Sequence, residues 1–346
     1  MAMRFWRALT ISAGAGFVAY LMHQLGASNI WRALRMIGWR FIVLMALEFM
    51  VHAFSARAWW HLFPGQRRRG CFPRLWVTYL AGNALNDITP GAPIGGDPFK
   101  AIALKEKFAM SVTAATLLSA RLGQALARAL FVILGMLTTS WSIKLESFPL
   151  KGLAIGFLLT AAGLGIFAIL QLRGLSGPAI SVFHHLWLPD SWAERIGQVL
   201  ERIDVQLSEL YRTRPIDFVV SVGLAFSGLC IGIVQIWLIM GWIGLPCSWL
   251  ASLTIESFSI LLSVVLFVVP GSLGVQEGGK LLVFTALGLP LSAGLSLGII
   301  IRLMFLVNLA AGFAALVWLR PVERAAATQT GGRDARREDR VQEQRF

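Results

Sequence analysis

Two short stretches of the chain combine proline, glycine and charge within an otherwise apolar sequence. The first contains Thr89, Pro90, Gly91, Gly95, Gly96 and Asp97, and the second contains Pro270, Gly271, Gly274 and Glu277. Their Pro-Gly pairs, at 90–91 and 270–271, lie 180 residues apart. A lone arginine follows each acidic residue inside an apolar run, at Arg121 and Arg302. A carboxylate and a guanidinium can pair with each other, and the guanidinium can also hold a phosphate through two hydrogen bonds.

The Pro/Gly stretches interrupt helices, because proline and glycine are poor helix formers. Non-helical backbone at membrane depth survives only inside protein or beside a wet cavity. Its free amides, or a new helix that starts near Asp97, can bind an anion such as phosphate. Asn83 and Asn86 lie one turn apart before the first break, and Lys100 follows it. The alternative is an ordinary loop outside the membrane that Asp97 caps.

The composition predicts a polytopic membrane protein. Hydrophobic residues make up 56% of the 346 residues and charged residues only 14%, against about 25% charged in soluble domains. The formal net charge of +13 collects in three arginines at 67–69 and in the C-terminal tail. We interpret it as positive-inside topology with contact to anionic headgroups, and expect no nucleic acid partner. The N-terminal apolar run is expected to be an uncleaved first span.

The apolar runs predict about eight transmembrane helices, near 8–25, 41–62, 74–88, 112–140, 152–171, 217–240, 249–269 and 291–319. A shift of 180 residues superimposes three spans and both motifs, so we predict an all-α protein with two repeated halves, 41–140 and 221–320, that contain broken or re-entrant helices. The transmembrane domain is expected to cover 1–320. Positive charge near the ends of the chain places both termini in the cytoplasm of an inner-membrane protein.

Two further segments have a distinct character. Residues 178–214 alternate charge with apolar residues at helical spacing, which predicts an amphipathic helix at the membrane surface. Residues 321–346 are basic and poor in apolar residues, so we expect a disordered tail.

Charges elsewhere in the apolar runs are secondary candidates. Glu256 shares a helix face with two serines before the second break, and ionisable residues at membrane depth are functional candidates by default. Arg128 follows Arg121 by two turns on one face. Glu48 has no counterpart after the 180-residue shift, where Gly228 stands, so we rank it as an accessory residue.

Evidence for catalysis is weak. No nucleophile with a base, phosphate-binding loop or cofactor fingerprint is recognisable. The three cysteines and five histidines form no metal-ligand pattern. We therefore expect no cofactor and no metal, and an enzymatic role is not favoured.

The two motifs resemble the membrane region of the lysylphosphatidylglycerol synthase family, a "flippase-like" integral membrane family. Its first pattern matches Asn86, Pro90-Gly91, Gly95-Gly96-Asp97-Pro98, Lys100 and Arg121. Its second pattern matches 270–277, with Arg302 downstream; the sequence 274–279 is similar to the hopanoid-associated branch. The resemblance covers about 5–320. It implies lipid handling or translocation, and we expect the aminoacyl-transfer domain to be absent because the chain ends soon after the last predicted span.

These observations define the predicted substrate-binding residues, which are Asn86, Thr89, Pro90, Gly91, Gly95, Gly96, Asp97, Lys100, Arg121, Glu256, Pro270, Gly271, Gly274, Glu277 and Arg302. The predicted partner is a membrane lipid with an anionic or phosphate-bearing headgroup, and a homo-oligomer or a lipid-biosynthesis enzyme is a further possible partner. Three roles remain open: a translocase, an enzyme or enzyme subunit of polyprenyl-lipid, glycolipid or hopanoid metabolism, and a non-transporting scaffold. The carboxylate–arginine pairs are either binding groups or structural ties between helices.

Overall fold

The computed structural model describes residues 31, 35–65, 70–89, 95–142, 158, 161–163, 165–166, 168–171, 174, 190–265, 283–285 and 287–343. Side chains are described for these residues except 139–142, 190–196, 263–265 and 320–343. Within this part of the chain all regular structure is helical, which confirms the predicted α-helical class.

The helices that the structure describes in full follow a short 3-10 turn at Gly38–Arg40. They are α1 (Phe41–His61), α2 (Phe72–Ile88), α3 (Gly96–Ala103), α4 (Met110–Ser142), α5 (Asp190–Thr213), α6 (Pro215–Trp242), α7 (Trp249–Val265) and α8 (Leu291–Glu343).

Four described segments are long and apolar enough to cross a membrane. They are Arg35–His61, Met110–Thr138, Pro215–Trp242 and Leu291–Leu319, and they agree with four of the predicted spans. Helices α2 and α7 have 17 residues each, slightly short of the roughly 20 that a span requires. The predicted span at 8–25 and most of that at 152–171 lie outside the described residues. The count of eight spans therefore stays a prediction.

The break after α2 follows from the local sequence. Thr89 precedes a proline, which disfavours helical backbone, and its backbone is extended with φ −91° and ψ 116°. The next helix, α3, starts at Gly96 and carries Asp97 and Pro98 in its first turn, where an acidic residue and a proline are both favoured. With eight residues, α3 is too short to span a bilayer. The predicted short helical segment after the break is therefore present.

The long helices of the described residues pack in four main pairs. Helix α1 packs on α6, α2 packs on α8, and α4 packs on both α6 and α7. A large apolar core joins α1, α4, α6, α7 and α8 through residues such as Leu44, Ile239 and Leu297, which are fully or almost fully buried. A second core around Trp59, Phe63 and Leu75 fixes α1, α2 and the segment after α3.

Helix α5, Asp190–Thr213, lies within the segment 178–214 that is predicted to form an amphipathic helix. Its buried residues Ile203, Leu207 and Leu210 recur at helical spacing, and the first two pack against α4. Glu201 and Arg202 lie on the exposed side. Residues 178–189 lie outside the described residues, and the position of α5 at a membrane surface stays a prediction.

The expected disorder of the C-terminal tail stays a prediction. Helix α8 continues beyond the last predicted span to Glu343. The tail is poor in apolar residues but rich in alanine, arginine, glutamate and glutamine, which have high intrinsic helix propensity. Local propensity thus favours helix in a segment whose composition suggests disorder.

Two glycines allow α2 and α3 to cross closely. A Cβ atom on Gly96 would overlap the backbone carbonyl of Gly82 and the side-chain amide of Asn86. A Cβ atom on Gly82 would overlap the aliphatic part of Lys100. Small residues at such crossings let helix backbones approach in membrane proteins. Here the crossing holds the first turn of α3 against the last turns of α2.

We expect Gly96→Ala to destabilise the protein, because the added methyl group meets a backbone oxygen that cannot move as a flexible side chain can. The matched control is Gly223→Ala in α6, where the added Cβ has open space and where alanine stabilises a helix by about 0.5–1 kcal/mol. Thermal unfolding of both variants in detergent checks this expectation. A melting temperature for Gly96→Ala equal to that of Gly223→Ala would contradict the close crossing.

Candidate functional site

The first acidic residue and its arginine form a two-pronged ion pair. Arg121 Nε donates to Asp97 Oδ2 at 3.1 Å, and Arg121 Nη2 donates to Asp97 Oδ1 at 2.9 Å. Asp97 comes from the first turn of α3 and Arg121 from α4, which is long and apolar enough to span a membrane. The predicted pairing of Asp97 with Arg121 is confirmed, and it fastens the short helix to α4.

Lys100 provides a second cation for the same carboxylate. Its Nζ lies 3.0 Å from Asp97 Oδ1 and donates to Asn83 Oδ1 at 2.9 Å. It also lies 5.1 Å from the ring centroid of Tyr79, within the range of a cation–π contact. Only 2% of Lys100 is exposed. Asp97 is thus shared between a buried lysine and a partly exposed arginine.

Asn86 bridges the break in the backbone. Its Oδ1 accepts a hydrogen bond from the backbone N–H of Gly96 at 2.8 Å, and its Nδ2 donates to Asp97 Oδ1 at 3.3 Å. The first N–H groups of a helix have no partner within the helix, so Asn86 of α2 satisfies one for α3. Thr89 Oγ1 donates back to the carbonyl of Leu85 at 2.6 Å and closes the last turn of α2.

Burial and charge affect the two ionisable groups of α3 in different ways. Burial favours the neutral form of Asp97, but the hydrogen bonds and charges of Arg121 and Lys100 outweigh it and hold the pKa of the carboxyl below its usual range. Burial lowers the pKa of Lys100 to about 8, although the charge of Asp97 opposes this. Both groups therefore carry their charges at neutral pH.

The ion pair lies beside a large apolar cavity. This cavity has a volume of about 630 Å³ and lies between α3, α4 and α5, within the range of small-molecule pockets, about 300–1,000 Å³. Asp97 and Arg202 are the charged residues of its wall, which is otherwise mostly apolar, with Leu117, Leu118 and Ile203 among its residues. A second cavity of about 10 Å³, roughly one water in size, lies between Lys100, Asn83 and Gln124. Leu117 lines both cavities.

Arg128 lies within the apolar segment Met110–Thr138 and has no hydrogen-bond or ion-pair partner among the described residues. It lies on the same face of α4 as Arg121, two turns later, and its residue surface is exposed. It makes no hydrogen bond or ion pair with any residue that the structure describes. Arg121 is close enough to act on it electrostatically. The sequence identifies Arg128 as a charge in an apolar run. It does not show whether Arg128 has a partner, because that depends on where the other helices lie.

The remaining predicted site residues separate into three groups. Pro90, Gly91, Pro270, Gly271, Gly274 and Glu277 lie outside the described residues. Gly95 lies beside Thr89 in the first break. Glu256 of α7 lies against Gly232 of α6, away from the Asp97 cluster, and Arg302 is half-buried in α8. The pairing of Glu277 with Arg302, and the meeting of both pairs in one cavity, stay predictions.

Asp97, Lys100, Asn86 and Arg121 form the Asp97 cluster. Tyr79 and Gln124 also lie in this cluster, and they are not among the residues predicted from the sequence. Both line the small cavity beside Lys100. Spacing alone could have suggested Gln124, which stands three residues after Arg121, and Tyr79, which stands four residues before Asn83. In the described part of the chain, no group of three or more His, Cys, Asp or Glu side chains is arranged to hold a metal ion.

A comparison with protein families identifies the chain. The family model for the lysylphosphatidylglycerol synthase transmembrane region matches residues 5–312. The chain belongs to this family. The resemblance that the two motifs indicate is thereby confirmed, and the family links the chain to membrane lipid metabolism or transport. No curated protein and no solved structure matches the chain.

We expect Asp97→Asn to lower the stability of this lysylphosphatidylglycerol synthase-family chain, because Lys100 and Arg121 would lose their shared carboxylate. Breaking a buried pair costs about 3–5 kcal/mol; since Arg121 is one-third exposed (33%), we expect about 2 kcal/mol or more. The control is Glu106→Gln, which removes an exposed pair with Arg74 at 3.0 Å and should cost at most about 1 kcal/mol. Thermal unfolding measures both variants. Equal losses would mean that the Asp97 cluster is no more than a surface ion pair.

Proposed function

We propose that the chain binds the phosphate-bearing headgroup of a membrane lipid at Arg121 and Arg128, and translocates that lipid across the membrane. The observation that carries the proposal is Arg128, a cation at membrane depth without a hydrogen-bond or ion-pair partner among the described residues. An arginine in that position is energetically costly unless it reaches a counter-charge or water. A lipid phosphate would supply the counter-charge, and an arginine binds phosphate through two parallel hydrogen bonds.

The arrangement around Asp97 supports an exchange of partners. Arg121 is one-third exposed, whereas Lys100 is almost completely buried. When Arg121 turns from Asp97 to a phosphate, Asp97 keeps its contact with Lys100 at 3.0 Å. The exchange therefore avoids an unpaired buried carboxylate, whose cost would otherwise oppose phosphate binding. Arg121 acts as the movable partner and Lys100 as the fixed one.

The local charge balance also favours an anionic ligand. Lys100, Arg121 and Arg128 are three cations, and Asp97 is the carboxylate that two of them contact. Asp87, on the exposed side of α2, also acts electrostatically on Lys100. With both carboxylates ionised, one positive charge is left over in this cluster, and one phosphodiester charge would neutralise it.

The apolar cavity offers a place for the hydrophobic part of the same lipid. Asp97 forms part of its wall, and Leu117 separates it from the small polar cavity. An amphiphilic ligand requires an apolar compartment beside its charged group, and the large cavity lies beside Asp97, whereas the small cavity holds about one water and is too small for a phosphate.

Helix packing supports the proposal of a repeated architecture. The 180-residue shift relates α1 to α6, α2 to α7, and α4 to the first part of α8. If two halves exchange by a two-fold rotation, α1 should contact α6, and the contact of α2 with α8 should be matched by a contact of α4 with α7. These are main pairings of the described helices. We propose two related halves in an inner-membrane protein with cytoplasmic termini, and leave the choice between parallel and inverted halves open.

The alternative roles differ in what they require of Arg128. A scaffold requires no cation there. An enzyme or enzyme subunit acting on a polyprenyl-lipid, a glycolipid or a hopanoid lipid requires a reactive group in addition to a headgroup contact. The cavity wall and the cation cluster support recognition of a lipid, and no hydrogen bond among the described residues pairs the hydroxyl in the wall, that of Ser111, with a base. Translocation is therefore the role that we favour.

We expect Arg128→Gln to reduce headgroup-resolved lipid translocation in proteoliposomes by about ten- to a hundredfold, since a hydrogen bond to a charged group contributes about 1.5–3 kcal/mol. Arg121→Lys should also reduce it, because lysine keeps the charge but lacks the planar two-pronged donor. The matched control is Arg74→Lys, which changes an arginine that contacts Glu106 and the carbonyl of Ala103 away from the cavity.

Melting temperatures of the same samples separate recognition from structural support. We expect Arg128→Gln to leave the melting temperature close to that of the unchanged protein, because no described contact is lost. Translocation that falls only in proportion to stability, or that survives in both site variants, would contradict the proposal and favour a structural role for the ion pair. Absence of translocation in the unchanged protein, together with modification of the lipid, would favour the enzymatic alternative.

A further inference from the structure

A second polar cluster lies at the centre of the helix bundle, outside the Asp97 site. Glu48 is at the midpoint of the 27-residue span Arg35–His61. Its Oε2 accepts a hydrogen bond from Gln235 Nε2 of α6 at 2.9 Å, and its Oε1 accepts one from Asn308 Nδ2 of α8 at 3.1 Å. One carboxylate thus joins three helices, and both donors are neutral amides.

His52 stands one turn after Glu48 on the same helix. Its Nε2 lies 3.8 Å from Glu48 Oε1, which is too long for a hydrogen bond but within the range of an ion pair. The same Nε2 atom is buried and has no hydrogen-bond partner among the described residues. Asn308 Oδ1 is also buried and without a partner in that part of the chain. Two buried polar atoms beside Glu48 are therefore not hydrogen-bonded.

No lysine or arginine in the described helices pairs with Glu48. Helix α6 carries Asp217, which lies near its start beside Arg214 and His61. Arg302 of α8 and the arginines of α4 make no ion pair with Glu48, and Arg40 lies over the ring of Trp242. The nearest titratable group of α2 is Tyr79, whose ring centroid is 6.3 Å from that of His52. The remaining titratable groups of α2, which are Arg74 and Asp87, have contacts elsewhere.

We propose that Glu48 and His52 together bind one exchangeable proton at the centre of the bundle. Without that proton, an ionised Glu48 beside a neutral His52 leaves a net negative charge at membrane depth, which is strongly unfavourable. With one proton, held as a carboxylic acid beside a neutral imidazole, the pair is neutral. A rotation of His52 that closes the 3.8 Å gap lets the proton pass between Glu48 Oε1 and His52 Nε2.

The proton site lies next to the Asp97 cluster through Tyr79. The Tyr79 ring contacts His52 on one side and Lys100 on the other, at 6.3 Å between ring centroids and at 5.1 Å from Nζ to the ring centroid. A change in the charge or rotamer of His52 therefore reaches the environment of Lys100 through one side chain. The proposed proton site does not depend on lipid translocation. In a translocase that also has this site, the bound proton would be available as a coupling ion.

Infrared spectroscopy of the purified protein in nanodiscs tests the proposal without any lipid transport assay. A protonated carboxylic acid has a carbonyl stretch that a carboxylate lacks, so a pH titration follows it directly. We expect a buried carboxylic acid band that is present in the unchanged protein and missing in Glu48→Gln. The glutamine side chain keeps an oxygen that can accept a hydrogen bond from Gln235 or Asn308. The control Glu106→Gln removes an exposed carboxylate and should leave the band unchanged.

A second variant decides the question even if Glu48→Gln does not fold. In His52→Gln the carboxyl has no imidazolium to pair with, so we expect Glu48 to stay protonated and the band to persist to higher pH than in the unchanged protein. The proposal is overturned if folded Glu48→Gln retains the full band, or if the titration of the band is the same in His52→Gln as in the unchanged protein. Neither result depends on whether the protein moves a lipid.

Discussion

The structure depends on one carboxylate that is shared between two cations across a break in the backbone. Asp97 starts α3, and Arg121 of α4 and Lys100 of α3 both contact it. Without this charge balance the short helix would present a buried acid and a buried lysine to an apolar interior. The close Gly82–Gly96 crossing and the hydrogen bond from Gly96 to Asn86 place α3 where the contacts are possible. The contacts of Asp97 therefore form only when α2 and α3 cross closely, and the close crossing is stable only when the charges are balanced.

The same arrangement explains how a structural tie can also be a binding site. If both partners of an ion pair were fully buried, the free-energy cost of separating them would be too high for exchange. Here the lysine is buried and the arginine is partly exposed, so one partner is fixed and the other can exchange. The apolar cavity beside Asp97, and Arg128, which has no ion-pair partner in the described part of the chain, add the two further elements that the proposed amphiphilic anion requires. The sequence suggests that the ion pair is either a structural tie or a binding group. In the proposed function, the same pair serves as both.

Much of this site could be predicted from the sequence because its residues are close along the chain. Asp97, Lys100 and Asn86 lie within one motif, and Arg121 is the first arginine on the next apolar helix. The partners of Glu48 could not be predicted in this way, since Gln235 and Asn308 lie 187 and 260 residues from it. Glu48 was ranked low because it has no counterpart in the other half, yet it connects three helices.

In the proposed function, a lipid phosphate approaches the guanidinium groups of Arg121 and Arg128. Solid-state NMR can measure the ¹⁵N–³¹P dipolar coupling between labelled arginine side chains and lipid phosphate in bilayers. We expect a coupling at short distance that decreases in Arg128→Gln and decreases further when Arg121→Lys is added, but not in Arg74→Lys. A spectrum without short-range coupling beyond that of surface arginines, or a coupling unchanged in these variants, would contradict the account.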